Sequence, residues 1–287
     1  MRINFRLLES SERTKKEFYI YRLYCKEGEN VISPHWHDEF EVLYTTCDGV
    51  IELDRETIEF SKDNFIFINK EQIHSVRASS DGHIYALVFA FESLSFVNNN
   101  FCQTEIIDKL NNMTYLFPQY TELEEELQNK ILELLGEIIE LYLSDTLGRE
   151  LKMKCNLYEI IFLIYSNGKF IINEKDEKYN CIQLDYARKV IQYMENNFSE
   201  NITIDKLAKK LSLNKHYLIK IFKQITGETP IIYLRNLRID FSKDLLKQGY
   251  SITEAATLSG FNNISYYIRH FKDKNSVTPK EYQKNNI

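Results

Sequence analysis

The 287-residue chain has no apolar run of the ~18 or more residues that a membrane span needs, so no segment reads as a membrane helix. Its opening stretch, MRINFRLLESSERTKK, lacks the continuous apolar core of a secretory signal, and a cytoplasmic location is the expectation. Cysteine is sparse: the five, Cys25, Cys47, Cys102, Cys155 and Cys181, are odd in number, scattered and without a C-x-x-C pair. That excludes a disulfide framework or a zinc knuckle and leaves reduced, mostly buried thiols as the expectation. Tryptophan occurs once, at Trp36, whereas tyrosine (19) and phenylalanine (18) are plentiful. A soluble globular protein of about two domains, each with its own core, fits this length and composition.

The net charge of −6 argues weakly against a polyanionic partner, but it hides a division along the chain. From Ala187 to Ile287 there are 17 Lys and Arg against 9 Asp and Glu, a net of +8; the residues before carry −14. A basic module suited to phosphate is therefore joined to an acidic one with another task.

From about Phe18 to Phe91 the segments EFEVLYTT, VIELDRETIEF, NFIFIN and IYALVFAF show partial alternation, separated by polar breaks such as Ser61-Lys62-Asp63. They predict antiparallel strands closing into a small β-barrel or sandwich. After Pro118 the period becomes helical: Leu123, Leu127, Ile131, Leu134, Ile138 and Leu141 form a seam, and a second helix is expected over Arg149 to Tyr165. The seam suits either packing on its own β domain or a homodimer contact. Residues 167–183, with Gly168 and the charged run NEKDEK, are expected to link a sensing domain at 1–166 to a helical domain at 184–287.

The helical domain contains an internal repeat. At an offset of 48, Leu207-Ala208 falls on Ala255-Ala256; at 49, Tyr217 falls on Tyr266, Phe222-Lys223 on Phe271-Lys272, Thr229-Pro230 on Thr278-Pro279 and Tyr233 on Tyr282. Each copy has the parts of a helix-turn-helix. Thr203 and the Ser251…Glu254 capping box start the first helices, Asn214 and Asn263 cap the second, and Gly260 suits a turn with positive φ. Between the copies, Thr229 is the expected cap and Pro230 the first-turn proline of a helix running to about Lys247, some ~27 Å long. That length can hold two recognition helices near major-groove segments about 34 Å apart. Arg235, Arg238 and Lys243 on it are expected to touch DNA backbone or to pair with Asp240 and Asp244.

In the first recognition helix Tyr217, Leu218, Ile221, Phe222 and Ile225 are expected inside, leaving Lys215, His216, Ile219, Lys220 and Lys223 outside. In the second, Tyr266, Tyr267 and Phe271 are the expected anchors, and Ile264, Ser265, Ile268, Arg269 and Lys272 face outward. Lys220 and Arg269 suit guanine edges, Ser265 several partners, and the isoleucines a thymine methyl group. Lys215, Lys223 and Lys272 suit phosphates.

The order I-x-x-L-A-x-x-L-x-L-N-x-x-Y-L-x-x-x-F-K-x-x-T-G-x-x-P, followed by S-I-x-x-A-A-x-x-S-G-F-x-N-x-S-Y-Y-x-R-x-F-K, resembles the AraC/XylS DNA-binding domain over about a hundred residues. The resemblance implies that His216, Ile219, Lys220, Ile264, Ser265 and Arg269 approach bases. It departs at Asn275-Ser276, where the family often has Thr-Gly.

In the acidic half, His35, His37 and Glu41 share parity, so an unbulged strand would project all three to one side, and His74 could join from a later strand. Three histidines and a carboxylate can hold a metal. The spacing resembles the cupin pattern, with Gly28 and Gly49 near its glycines but Asn69 where a proline is common. An organic-ligand pocket formed by His35, Trp36, His37, Glu41 and His74 is the leading reading, and a metal site or merely structural histidines are the alternatives.

The expectation is thus an α+β protein: an N-terminal cupin-like β-barrel with a helical dimerisation segment, then an all-α domain with two helix-turn-helix units. It implies a transcription regulator, an activator by family resemblance, with double-stranded promoter DNA, a small-molecule effector such as a sugar, a homodimer mate and RNA polymerase as partners. No cofactor, catalysis or membrane association is expected. The rival is a metal-binding cupin enzyme or metal sensor fused to a DNA-binding domain.

Overall fold

A computed structural model gives the conformation of residues 18–54, 56–173 and 178–286. They divide into two compact units, one running to Lys178 and the other from Tyr179. The opening segment read for a secretory signal lies outside the described residues.

The first unit begins with eight strands: β1 (Phe18–Cys25), β2 (Asn30–His35), β3 (Phe40–Thr45), β4 (Gly49–Leu53), β5 (Glu56–Phe60), β6 (Asn64–Ile68), β7 (His74–Ala78) and β8 (Gly82–Phe89). They make two antiparallel four-stranded sheets, ordered β1-β8-β3-β6 and β2-β7-β4-β5. VIELDRETIEF is a hairpin, β4 against β5, turning at Asp54 with φ 53°. Alternation did not pick out β2, which pairs with β7 through two register irregularities.

The first sheet alternates poorly because both its faces are covered. Phe40, Val42, Phe65, Phe67, Leu87 and Phe89 share a core with helices α1 (Glu125–Leu143) and α2 (Arg149–Ser166). Leu43, Ile66, Ile68 and Ala86, of opposite parity, are equally buried. The seam of α1 belongs to the same core: Leu127, Ile131, Leu134 and Ile138, with Leu123 just before the helix, pack inside their own unit. Dimerisation is not needed to explain it. The exposed apolar side chains here are others, among them Leu143, Leu147, Leu151 and Phe162.

Within the expected linker, β10 (Ile171–Ile172) pairs with β9 (Tyr115–Leu116), and residues 178–183 open a helix. Only 174–177 remain between them, outside the described residues. Among the thiols whose burial is described, Cys25 and Cys47 are buried and Cys102 and Cys155 exposed. Burial, then the neighbouring Cys47, pushes the Cys25 thiol up.

The second unit is all helical: α3 (Lys178–Asn197), α4 (Ile204–Lys210), α5 (Lys215–Thr226), α6 (Pro230–Lys247), α7 (Ile252–Leu258), α8 (Ile264–Asn275) and α9 (Pro279–Asn286). The caps form as their residue types dictate. Thr203 accepts from Lys206 N, Asn214 from His216 N and Asn263 from Tyr266 N, while Ser251 and Glu254 close a capping box. Thr229 differs: Pro230 takes the first turn of α6, but the Thr229 hydroxyl makes no capping bond.

The turn of the second repeat rests on the segment that leads into the first. Gly260 has φ +84°, and a Cβ there would sit 2.8 Å from Ser199 Cα and 2.9 Å from Phe198 O. Phe198 packs on Phe241 with centroids 4.6 Å apart, and Arg238 donates to Phe198 O and Glu200 O, both at 2.7 Å. Arg238 therefore closes the end of α3 instead of standing free for DNA. Among the described residues no helix is long and apolar enough to cross a membrane.

Candidate functional sites

Four side chains converge in the barrel unit. His35 ends β2, His37 lies in the turn after it, Glu41 is in β3 and His74 opens β7. The expected single unbulged strand is absent, because the chain turns at Asp38-Glu39 and passes from one sheet to the other. The corner does what strand parity was expected to do. His35 and His74 are paired across β2 and β7, with ring centroids 4.1 Å apart. One ligand atom from each of the four lies within 4.8 Å of the others, and all four residues are buried. Trp36, between His35 and His37 in sequence, is half-buried.

Each ring is anchored by backbone. His35 Nδ1 meets Ser33 O at 3.0 Å, His37 Nδ1 meets Glu39 O at 3.0 Å, and His74 Nδ1 meets Gln72 O at 2.9 Å. A carbonyl only accepts, so the network assigns the proton of each ring to Nδ1 and leaves Nε2 for the cluster. His37 Nε2 is 2.9 Å and His74 Nε2 3.1 Å from the same oxygen, Glu41 Oε2. Glu41 Oε1, also buried, accepts no hydrogen bond among the described residues.

Three imidazole lone pairs around a carboxylate repel one another unless positive charge is supplied, by extra protons or by a cation. Burial would raise the Glu41 carboxyl, yet hydrogen bonds from His37 and then His74, which form when their Nε2 atoms are protonated as well, hold it well below the usual carboxylate range. Burial, then the neighbouring His74 and His37, holds His35 well below the ordinary histidine value. The donor set thus fits a divalent metal, with Nδ1 contacts that orient the ligands from outside. Asn69, at the place of the family's proline, accepts from Phe117 N (2.8 Å) and donates to Phe117 O (3.2 Å). No proline could make that donation.

In the helical unit, α4–α5 and α7–α8 form the two helix-turn-helix pairs. On α5, Leu218, Ile221, Phe222 and Ile225 are buried, whereas Lys215, His216, Lys220 and Lys223 are exposed and Ile219 half-buried. Lys215 already has a partner, with Nζ 2.7 Å from Asp205 Oδ1. On α8, Tyr267 and Phe271 are buried, and Ile264, Ser265, Ile268, Arg269 and Lys272 face solvent. Tyr266 is a correction: it is 40% exposed, no anchor at all. One residue is 100° of helix, so of two adjacent tyrosines only Tyr267 reaches the core. The Tyr266 ring stands edge-on to His270 at 4.2 Å, with the Arg269 guanidinium 5.7 Å from its centroid. The polar outer face of α8 is therefore flanked by an aromatic ring that sequence reasoning had assigned inward. Lys243 makes the expected pair with Asp240, at 3.3 Å, but does so buried and not on the surface.

Residues 207–285 match a family of helix-turn-helix domains, and residues 18–161 match the AraC-like ligand binding domain. An HTH-type transcriptional regulator of Bacillus subtilis (strain 168), YdeC, is 25% identical over 265 residues, covering 88% of this chain and 86% of its own. The HTH-type transcriptional activator RhaS of Mannheimia succiniciproducens is 28% identical over 185 residues, 64% of this chain and 66% of its own. Among solved structures, an apo ToxT variant from Vibrio cholerae superposes with a TM-score of 0.50 at 14% identity, covering 94% of this chain and 98% of that one. That last likeness is one of fold.

Proposed function

The chain belongs to the AraC family of DNA-binding transcription regulators, and we propose that it is an activator whose DNA occupancy is set by a small effector bound in the barrel. The observation that carries this reading is the pairing of two capped, outward-facing recognition helices with a buried, convergent cluster in a separate unit. His216, Ile219, Lys220, Ile264, Ser265 and Arg269 are the base-reading candidates, with Lys215, Lys223 and Lys272 on phosphates. The activator reading draws support from the printed role of the Mannheimia relative. The effector biases an equilibrium only by binding one state more tightly.

The effector site is His35, Trp36, His37, Glu41 and His74. A sugar or similar metabolite suits the aromatic face of Trp36 beside polar groups. A metal ion as effector is the second reading, favoured by the four donor atoms within 4.8 Å and the three backbone-anchored rings. The metal would supply the positive charge the donor set calls for. A homodimer is proposed through the exposed face of Leu143, Leu147, Leu151 and Phe162, since the α1 seam is buried. Contact with RNA polymerase and action in the cytoplasm, where promoter DNA lies, complete the proposal.

The test is a footprint on promoter DNA at defined salt, with and without candidate metabolites, together with metal analysis of the purified protein. DNA affinity should fall as salt rises. Affinity indifferent to salt would sink the regulator reading. Stoichiometric metal lost in His37→Gln selects the metal effector; stabilisation by an organic compound selects the metabolite. Substrate turnover at the cluster would point instead to a cupin enzyme.

A further inference from the structure

The second recognition helix, α8, is tied to α6 by an ion pair with no counterpart at the equivalent place in the first repeat. At an offset of 49, Lys274 on the last turn of α8 corresponds to Ile225 on α5, an apolar side chain that is buried. Lys274 Nζ instead reaches α6, donating to Asp240 Oδ2 at 2.5 Å and to Asn236 O at 3.1 Å. The other oxygen, Asp240 Oδ1, takes Lys243 Nζ at 3.3 Å, and Lys243 lies 6.0 Å from the Tyr282 ring on α9. All three charged side chains are largely buried, at 13% exposure for Lys274, 17% for Asp240 and 3% for Lys243. A second tie sits one helix-end away, where the Tyr267 hydroxyl donates to Ser242 Oγ at 3.0 Å.

A largely buried ion pair contributes little net stability over apolar packing of the same volume, but it tolerates only one geometry. Apolar contacts such as those of Ile225 allow a helix to roll. A roll of about 20° moves a side-chain tip about 2 Å on a helix of ~5–6 Å radius. That is enough to break a base hydrogen bond, whose usable range is narrower than 1 Å.

We propose that Asp240 and Lys274 are positioning residues whose ion pair sets the roll of α8, and with it the base pairs that Ser265 and Arg269 face. The pair touches no DNA itself. It makes the second helix-turn-helix the more discriminating half. The inference rests on α8 being a reading helix, and the test separates the two claims.

The full-length protein and a duplex selected from a randomised pool would be used, with base substitutions placed separately in the two protected segments. Asp240→Asn should lower discrimination in the segment read by α8 about tenfold, leave the other segment unchanged, and leave the protein folded at the assay temperature. Asp240→Glu, which keeps the charge, should restore most of it. Lys274→Met should repeat the loss from the other partner. Equal weakening in both segments, undiminished discrimination, or failure of both Asp240→Asn and Lys274→Met to fold would each overturn the proposal. Arg269→Ala provides the control: if it leaves second-segment preference intact, the reading role of α8 has failed, whatever the pair does.

Discussion

Tyr217 and Tyr266 hold equivalent places in the two repeats but opposite surroundings. The Tyr217 hydroxyl accepts from Gln183 Nε2 of α3 at 3.2 Å, whereas Tyr266 lies open beside His270 and Arg269. Tyr266→Ala should therefore lower affinity for target DNA roughly three- to tenfold, with a change in stability within about 0.5 kcal/mol. Tyr217→Phe should lose about 0.5–1.5 kcal/mol of stability and keep its sequence preference. Fluorescence anisotropy with labelled DNA, beside thermal unfolding of the same samples, checks both; equal binding defects in the two variants would refute the contrast.

Glu228, between the first recognition helix and α6, is pushed up to about 7 by burial, against the Lys274 charge and the hydrogen bond from Asn236. A carboxyl with a higher pKa folded than unfolded favours the folded state when protonated. That contribution is full below about 4.3 and disappears as pH rises through about 7. Glu228→Gln should thus raise the melting temperature by a few degrees at pH 8 and leave it nearly unchanged at pH 5. A gain of the same size at both pH values would show that the charge is irrelevant.

Ser276 ends α8 at φ 60°, the place that Gly227 fills after α5 at φ 75°. The departure from Thr-Gly noted in the sequence leaves the left-handed cap in place and puts a side chain into it. Ser276→Gly should stabilise by roughly 0.5–1 kcal/mol, and Gly227→Ala destabilise by about 1–2 kcal/mol. Urea titration at constant m reads both; a destabilised Ser276→Gly would mean that its side chain contributes more than its backbone costs.

Gly260 combines positive φ with backbone atoms of Ser199 and Phe198 inside 3 Å of any Cβ. Gly260→Ala should cost about 2–4 kcal/mol, the sum of strain and displaced backbone, and lower soluble yield. Wild-type stability in that variant would show the two repeats free to part.

The helix-turn-helix pairs were legible because capping residues, apolar spacing and the repeat all agree, and the caps at Thr203, Asn214, Ser251 and Asn263 form as read. The histidine cluster was legible for an incomplete reason. Nearness in sequence brought His35, His37 and Glu41 together, but through a corner between sheets and not along one strand. Periodicity failed where a strand is covered twice, as in β3 and β6, since alternation records only a difference between faces. The seam of α1 was ambiguous because a core and a coiled coil impose the same spacing. Tyr266 was misplaced because neighbouring tyrosines look alike until the helix phase is fixed. The Asp240–Lys274 pair joins positions on two helices whose approach no local pattern encodes.

The seat of Gly260 on Ser199, with Arg238 bound to the Phe198 and Glu200 carbonyls just after α3, carries a consequence for how this unit melts. A duplicated domain can behave as two bodies on a string, each with its own transition. Here the second turn is seated on the segment between α3 and the first repeat, so the second copy cannot loosen without freeing the entry to the first. Calorimetry should register a single cooperative event for the whole helical unit, with matching calorimetric and van't Hoff enthalpies. Half of it, cut anywhere along α6, would not stand alone.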